Sequence, residues 1–477
     1  MLKKLLAKWK AMPDSAKSSI AFILCSFILK GISFLTTPIF TRMMDTSQYG
    51  IIATYNSWVS ILDVFALLGL TSAGVFNVGL NEYRDQRDSY ISTVLTLCNI
   101  VTVLVFAVLG VCKMVLGADF FVPTELFVLM FIHFLFSPAQ VFWITRKKYE
   151  FKYKLPFAVT ILSAVLAQLV AMAAVRAVPG DRAAVARLWS NELAALVFCI
   201  PLYVMLFWRG RSFVDWKRWK KILVFALPLL PHYLSQHLMS SADRIMVAEM
   251  VSESDAGIYS VVANISMVAN IVWTAVNGSL IAHTFDNLRQ KQYSRINSTA
   301  SALLLGYGVV CFGICLIAPE VLAILAPSSY SIGIYAVPPI AGMAFLTALY
   351  NIFANIEFYH KKSVYITTAT ITSAVVNLVL NYIFIPKYSF IAAACTTLIS
   401  YVVLVLMHYS GYRKSTSERI YNAKLFFMIS AVTIMACVGC TVLYFNAMLR
   451  YGAIAVLLLA ALLGRRKILS VIRSLKK

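Results

Sequence analysis

Apolar stretches long enough to cross a bilayer follow one another along this chain, with gaps too short to hold a soluble domain. Fourteen spans fit, at 18–40, 48–72, 90–112, 123–144, 155–176, 186–208, 221–241, 256–282, 297–318, 334–356, 364–385, 389–410, 425–446 and 449–464. At about 20 residues per crossing they take about 280 residues, leaving roughly 13 for each connection or tail. Of the whole chain 60% is hydrophobic and 13% is charged, far from the roughly one-quarter charged residues of soluble domains. The expected fold is all-α and polytopic. A nucleotide-hydrolysing domain has no room, and the chain holds no Gly-x-x-x-x-Gly-Lys-Ser/Thr phosphate loop. Membrane glycosyltransferases and polysaccharide polymerases are disfavoured too, since they usually need a large catalytic loop outside the membrane.

With the N-terminus placed inside, 33 of the 42 basic residues fall in or beside cytoplasmic connections and 8 fall outside, with Lys30 within a span. The formal charge of +22 then implies no nucleic acid, because a positive-inside topology produces the same excess. Both termini are expected in the cytoplasm. Lys3, Lys4, Lys8, Lys10 and Lys17 precede a first span that is long, lacks a small-residue cleavage site and reads as retained. The last span is short enough to lie on the inner surface instead. The nine cysteines read as packing residues, and neither a metal nor a cofactor is expected.

The chain also repeats itself. Shifted by 210 residues, Tyr149, Lys152, Thr160, Ile161, Ser163, Ala164 and Val165 match Tyr359, Lys362, Thr370, Ile371, Ser373, Ala374 and Val375, seven identities in seventeen positions. Gly50-Ile51 and Gly257-Ile258 agree at an offset of 207, and Thr41-Arg42-Met43-Met44 lies over Asp243-Arg244-Ile245-Met246 at 202. Matched spans are six apart, an even number, so the halves share one orientation. The expected organisation is a tail (1–17), a six-span lobe (18–208), a basic linker (209–220), a second six-span lobe (221–410), two appended spans (411–464) and a tail (465–477). The two lobes are expected to face each other across a central cavity.

Polar side chains in hydrocarbon are costly, about 2.5–3.5 kcal/mol for Lys, Arg or Asp at mid-span, so they tend to face a bundle interior or water. Here they recur at helical spacing. The candidates for a hydrated cavity are Lys30, Asn56, Asp63, His232, Gln236, Asp243, Arg244, Asn270, Asn277, Asn351, Asn377 and Asn381. At the repeat offsets Lys30 falls over His232 and Asp63 over Asn270. Amides offer donor and acceptor together, as sugar hydroxyls require, while a Lys or protonated His can neutralise a phosphate. Asn and Ser also serve helix packing alone. Asp63 is a candidate partner for Lys30, Glu192 a candidate proton site, and His133 reads as a hydrogen-bonded core histidine. The basic connections around Arg146–Lys154 and Arg209–Lys221 read as topology signals touching anionic lipid. Pro38, Pro138, Pro228 and Pro231 are expected to bend their spans.

Pro38-Ile39-Phe40-Thr41-Arg42 leading to Gln48-Tyr49-Gly50, then Leu68-Gly69-Leu70, resembles the N-terminal signature of bacterial polysaccharide flippases. Asp243-Arg244 leading to Ala256-Gly257-Ile258-Tyr259-Ser260 resembles its counterpart in the second half. Asn377-Leu378-Val379-Leu380-Asn381 with Ile385-Pro386-Lys387-Tyr388 resembles the span-eleven region, although Ile391-Ala392-Ala393 stands where Gly-Ala-Ala is usual. The resemblance fits polysaccharide-type members of the multidrug/oligosaccharidyl-lipid/polysaccharide exporter superfamily. It implies a two-lobed transporter of the bacterial inner membrane that moves undecaprenyl-pyrophosphate-linked oligosaccharide between leaflets by alternating access. In that reading Lys30 contacts pyrophosphate, helped by Arg244 or His232, and the Asn stripes contact sugars. The implied partners are the glycolipid, bilayer lipids, a coupling ion (H⁺ or Na⁺) and a polysaccharide polymerase.

Two other classes stay open. A multidrug or organic-cation antiporter predicts an acidic, apolar-lined cavity. A polymerase or glycosyltransferase needs clustered carboxylates outside, where Glu249, Glu253, Asp255 and Glu320 are the loose candidates.

Overall fold

The computed structural model describes residues 12–71, 74–117 and 120–474, so Lys3, Lys4, Lys8 and Lys10 lie outside the described residues. Among those described there is no strand. The helices in chain order are α1 (Asp14–Met43), α2 (Thr46–Ala66), α3 (Val75–Glu82), α4 (Arg87–Leu116), α5 (Thr124–Tyr149), α6 (Lys154–Ala177), α7 (Ala183–Gly210) and α8 (Trp216–Ala226). They continue with α9 (Leu230–Met250), α10 (Glu253–Arg289), α11 (Tyr293–Leu325), α12 (Val337–Tyr359), α13 (Ser363–Ser415), α14 (Ala423–Leu443) and α15 (Ala447–Ser474).

Among the described residues, eleven helical segments are long and apolar enough to cross a membrane. The fourteen expected spans are recovered when three facts are added. First, α2, the second span, is a 21-residue helix with more polar residues. Second, α15 carries a shorter apolar run, Ala447–Leu459. Third, α13 is two helices, because its backbone breaks at Ser389 (φ 55°, ψ −148°). Asn377 donates to Thr397 at 3.0 Å, yet 20 residues of continuous helix would hold them about 30 Å apart. The chain therefore folds back, and 363–388 and 390–415 run antiparallel. Pro386 lacks a backbone donor, and Ser389 is tied by its hydroxyl to Asp255 at 2.7 Å.

Span two ends earlier than its hydropathy suggests. Leu68 (φ 51°) and Gly69 (φ 59°) take left-handed conformations after α2, and Leu68 and Leu70 bury their side chains in the turn. A Cβ on Gly69 would come within 2.9 Å of the Tyr233 ring, so the glycine serves both the dihedral and the close approach. Span seven is broken as expected: α8 passes through a 3₁₀ turn (Leu227–Leu229) containing Pro228 before α9 begins.

The chain divides into two compact units, with the boundary at His237/Leu238 inside α9. In the first, α7 packs on α4, α5 and α6, and α1 on α6. In the second, α12 packs on α10, α11, α13 and α14. Packing of the fourth span on the third recurs as the tenth on the ninth. So does a smaller feature. Arg42 donates to the Pro38 carbonyl and Arg244 to the Ser240 carbonyl, each at 2.9 Å and four residues back.

Candidate functional site

Asp243 on α9 joins several helices of the second unit through its carboxylate. Its Oδ2 accepts from the Tyr259 hydroxyl of α10 at 2.8 Å and from the Thr397 hydroxyl at 2.6 Å. Its Oδ1 accepts from the Asn381 amide at 2.7 Å. Asn377 donates to Thr397 at 3.0 Å, and Thr396 donates to the Asn381 carbonyl oxygen. The α13 hairpin makes this possible by setting Asn377 and Asn381, one turn apart on one face, against Thr396 and Thr397 of the returning helix. All six side chains are buried. Such a group of oxygens around one carboxylate can accept a proton, or exchange its internal hydrogen bonds for ligation of a small monovalent cation.

This arrangement divides the expected cavity residues. Asp243, Asn377 and Asn381 are hydrogen-bonded to one another and buried, so in this conformation they present no free polar edge to a substrate. Arg244 beside them is directed to Ser260 at 3.1 Å and to the Ser240 carbonyl. Asn270, Asn277 and Asn351 keep partial exposure, with Asn277 accepting from Asn355 at 3.3 Å. In the first unit Asn56 and Gln236 are exposed, and Lys30, Asp63 and His232 are half-buried.

The pairing of Lys30 with Asp63 is not found. No hydrogen bond or ion pair joins Lys30 to another described residue. Asp63 instead lies within electrostatic reach of His133, whose Nδ1 is 2.9 Å from Glu192 Oε2. His133 is thus hydrogen-bonded within the bundle, as its reading had it. Glu192 is turned inward to His133 from α7. Adjacent apolar spans leave several partners open to any one charge, and helix packing selected the imidazole.

The second unit holds an acid–imidazole pair that sequence reading missed. His408 Nδ1 of α13 meets Glu357 Oε2 of α12 at 2.7 Å, with the two side chains 1% and 0% exposed. The available signal is a boundary: hydropathy ends span ten at 356 and leaves Glu357 in a loop by one residue, whereas the helix runs to Tyr359. Also passed over, Cys437 and Cys440 form a Cys-x-x-Cys pair on α14 beside Cys315 of α11, all as free thiols.

Part of the basic connections is engaged by carboxylates. Glu150 gathers Arg146 (2.9 Å), Lys152 (3.3 Å), Arg87 and Lys147 (both 3.6 Å). Arg218 pairs with Asp215 at 2.9 Å and Lys221 with Glu82 at 2.5 Å. Among the candidate enzyme carboxylates, Asp255 is engaged by Ser389 and Glu320 by Arg450.

A family model described as polysaccharide biosynthesis protein matches residues 15–281, more than half of the chain. The chain belongs to the polysaccharide biosynthesis protein family. The resemblance carried by its motifs therefore holds. This polysaccharide biosynthesis protein is 22% identical over 415 residues to the probable low-salt glycan biosynthesis flippase Agl15 of Haloferax volcanii, covering 83% of each chain. It is 27% identical over 157 residues to the Lsg locus putative protein 1 of Haemophilus influenzae, a match spanning 39% of that relative and 32% of this chain. Among solved structures it resembles the lipid II flippase MurJ in an inward closed conformation, with a TM-score of 0.68 at 13% identity, covering 94% of this chain and 100% of that one. At that identity the likeness is one of fold.

Proposed function

We propose that this protein moves undecaprenyl-pyrophosphate-linked oligosaccharide from the cytoplasmic to the outer leaflet of a bacterial inner membrane by alternating access, for O-antigen, capsule or a related glycan. The observation that carries the reading is the family match over residues 15–281 on a chain built of membrane-spanning helices. The flippase name of its Haloferax volcanii relative points the same way. Lys30, within a span and without an ion-pair partner among the described residues, is the residue for the pyrophosphate, and the exposed amides Asn56 and Gln236 suit sugar hydroxyls. The centre around Asp243 is the place for a coupling H⁺ or Na⁺, and a polymerase consuming product outside would also draw transport forward.

The test is reconstitution. Protein-containing vesicles should expose lipid-linked oligosaccharide to an added glycosidase faster than protein-free vesicles, and equal rates would reject the function. In cells, deletion should leave undecaprenyl-linked repeat units on the cytoplasmic leaflet. Lys30→Ala should abolish surface glycan at unchanged protein level, and normal glycan in that variant would remove Lys30 from the mechanism.

A further inference from the structure

A cavity of 670 Å³ opens at one end of the second unit, where α11 begins, α13 ends and α14 begins. That volume lies within the range of about 300–1,000 Å³ typical of small-molecule sites. Arg413 and Arg419 line it, with Tyr293, Tyr409, Asn297 and Ser294, and no carboxylate is among its described lining residues. An adjoining hollow shares Tyr293 and Ser294 and adds Lys291 and Arg295.

The walls are built rather than loose. Tyr412, at the end of α13, accepts hydrogen bonds from the backbone of Ile420 at 2.9 Å and Tyr421 at 3.3 Å. The Asn297 side chain accepts from the Asn422 backbone at 2.9 Å. These bonds fold the α13–α14 connection back over the helix ends. Tyr412 also stacks on Phe353 with ring centres 5.7 Å apart, which ties that connection to the core.

The charge is unspent. Several basic residues at other helix ends are engaged by carboxylates: Arg146 by Glu150, Arg218 by Asp215 and Arg450 by Glu320. Arg413 and Arg419 make no hydrogen bond or ion pair with a described residue; Arg413 has only the Tyr412 ring at 6.0 Å. A guanidinium presents a planar fork of donors that matches phosphate oxygens two at a time. Two such forks in a cavity larger than a single phosphate, beside phenol and amide groups, fit a diphosphate joined to sugar hydroxyls.

We propose that this cavity is a loading site for the diphosphate and first sugars of a lipid-linked glycan, taken from the leaflet on the cytoplasmic side. The inference rests on the transport reading above and adds a binding site distinct from the Lys30 and Asp243 positions.

The test is binding to the full chain in phosphatidylcholine nanodiscs, with farnesyl diphosphate, inorganic pyrophosphate and short-chain phosphatidylglycerol as probes. Farnesyl diphosphate should bind tightest, and R413A/R419A should weaken it by about tenfold or more, with R413K/R419K in between. Both arginines are exposed, so the variants should melt at the wild-type temperature. Unchanged binding in R413A/R419A overturns the site. Phosphatidylglycerol bound as tightly through the same arginines makes the cavity a phospholipid seat and overturns the diphosphate. Pyrophosphate bound as tightly as farnesyl diphosphate makes the ligand a free phosphate and overturns the lipid. Because binding is read without transport, arginine-dependent binding in a protein that moves no glycolipid rejects the transport reading alone. Transport with arginine-independent binding rejects this site alone.

Discussion

Asn381 donates an amide hydrogen to Asp243 at 2.7 Å across 138 residues of sequence. The bond joins α9 to the first arm of the α13 hairpin, and Thr397 ties the second arm to the same carboxylate. One buried acid of α9 thus holds three other helical segments in register, the two arms of α13 and, through Tyr259, α10. Any change in its protonation or ligation must alter bonds to all three.

Asn381→Ala removes a donor from Asp243 and an acceptor from Thr396 in a site with no exposure. A buried polar group left unpaired costs about 1–3 kcal/mol. The variant should unfold at lower temperature in detergent. Thr274→Ala, which loses only a hydroxyl bonded to its own helix at an exposed position, should melt like wild type.

Glu357 and His408 should behave as a unit. His408→Ala leaves a buried carboxylate without its partner, a defect of about 3–5 kcal/mol when charge is stranded. The double variant E357Q/H408A should recover part of that loss. A double-mutant cycle on thermal stability reads the coupling, and additive losses would contradict it.

Gly411 lies against that same pair. A Cβ there would collide with Glu357 Oε1 and approach Tyr365 Cβ within 3.0 Å. The Glu357 carboxylate cannot withdraw, being buried and held by His408. Gly411→Ala should therefore destabilise by about 1–3 kcal/mol despite its better helix propensity. Gly110→Ala, in a helix with nothing within 4 Å of the new methyl, should be neutral or slightly stabilising by melting temperature.

The Glu150 cluster makes stability fall in acid. Burial acts to raise the carboxyl, but the Arg146 hydrogen bond, with Lys147 and Lys152 nearby, overcomes it and holds the group at about 2, below its ordinary 4.5. A carboxyl held down stabilises the fold at pH above about 4.5 and loses that contribution as pH falls towards about 2. Melting temperatures should drop between pH 5 and pH 3, and Glu150→Gln should flatten part of that drop.

The class of fold was readable because hydrocarbon imposes a run length on any helix that crosses it. Helix ends were readable less well. Leu67-Leu68-Gly69-Leu70 is apolar enough to extend span two, but hydropathy carries no information about a left-handed φ. Ending span ten one residue early hid Glu357. The return between spans eleven and twelve was legible as run length, because 364–385 and 389–410 each suffice for a crossing.

The sequence by itself determined that the chain is helical and membrane-spanning, and which faces of its helices are polar, because these follow from run length and a period of 3.6 residues. Tertiary structure alone decided which polar groups meet: Asp243 with Asn381 and Thr397, Glu357 with His408, and Asp63 near His133 rather than Lys30. Helical period assigns a side chain to a face of its own helix, whereas its partner depends on which helix packs against that face and at what height.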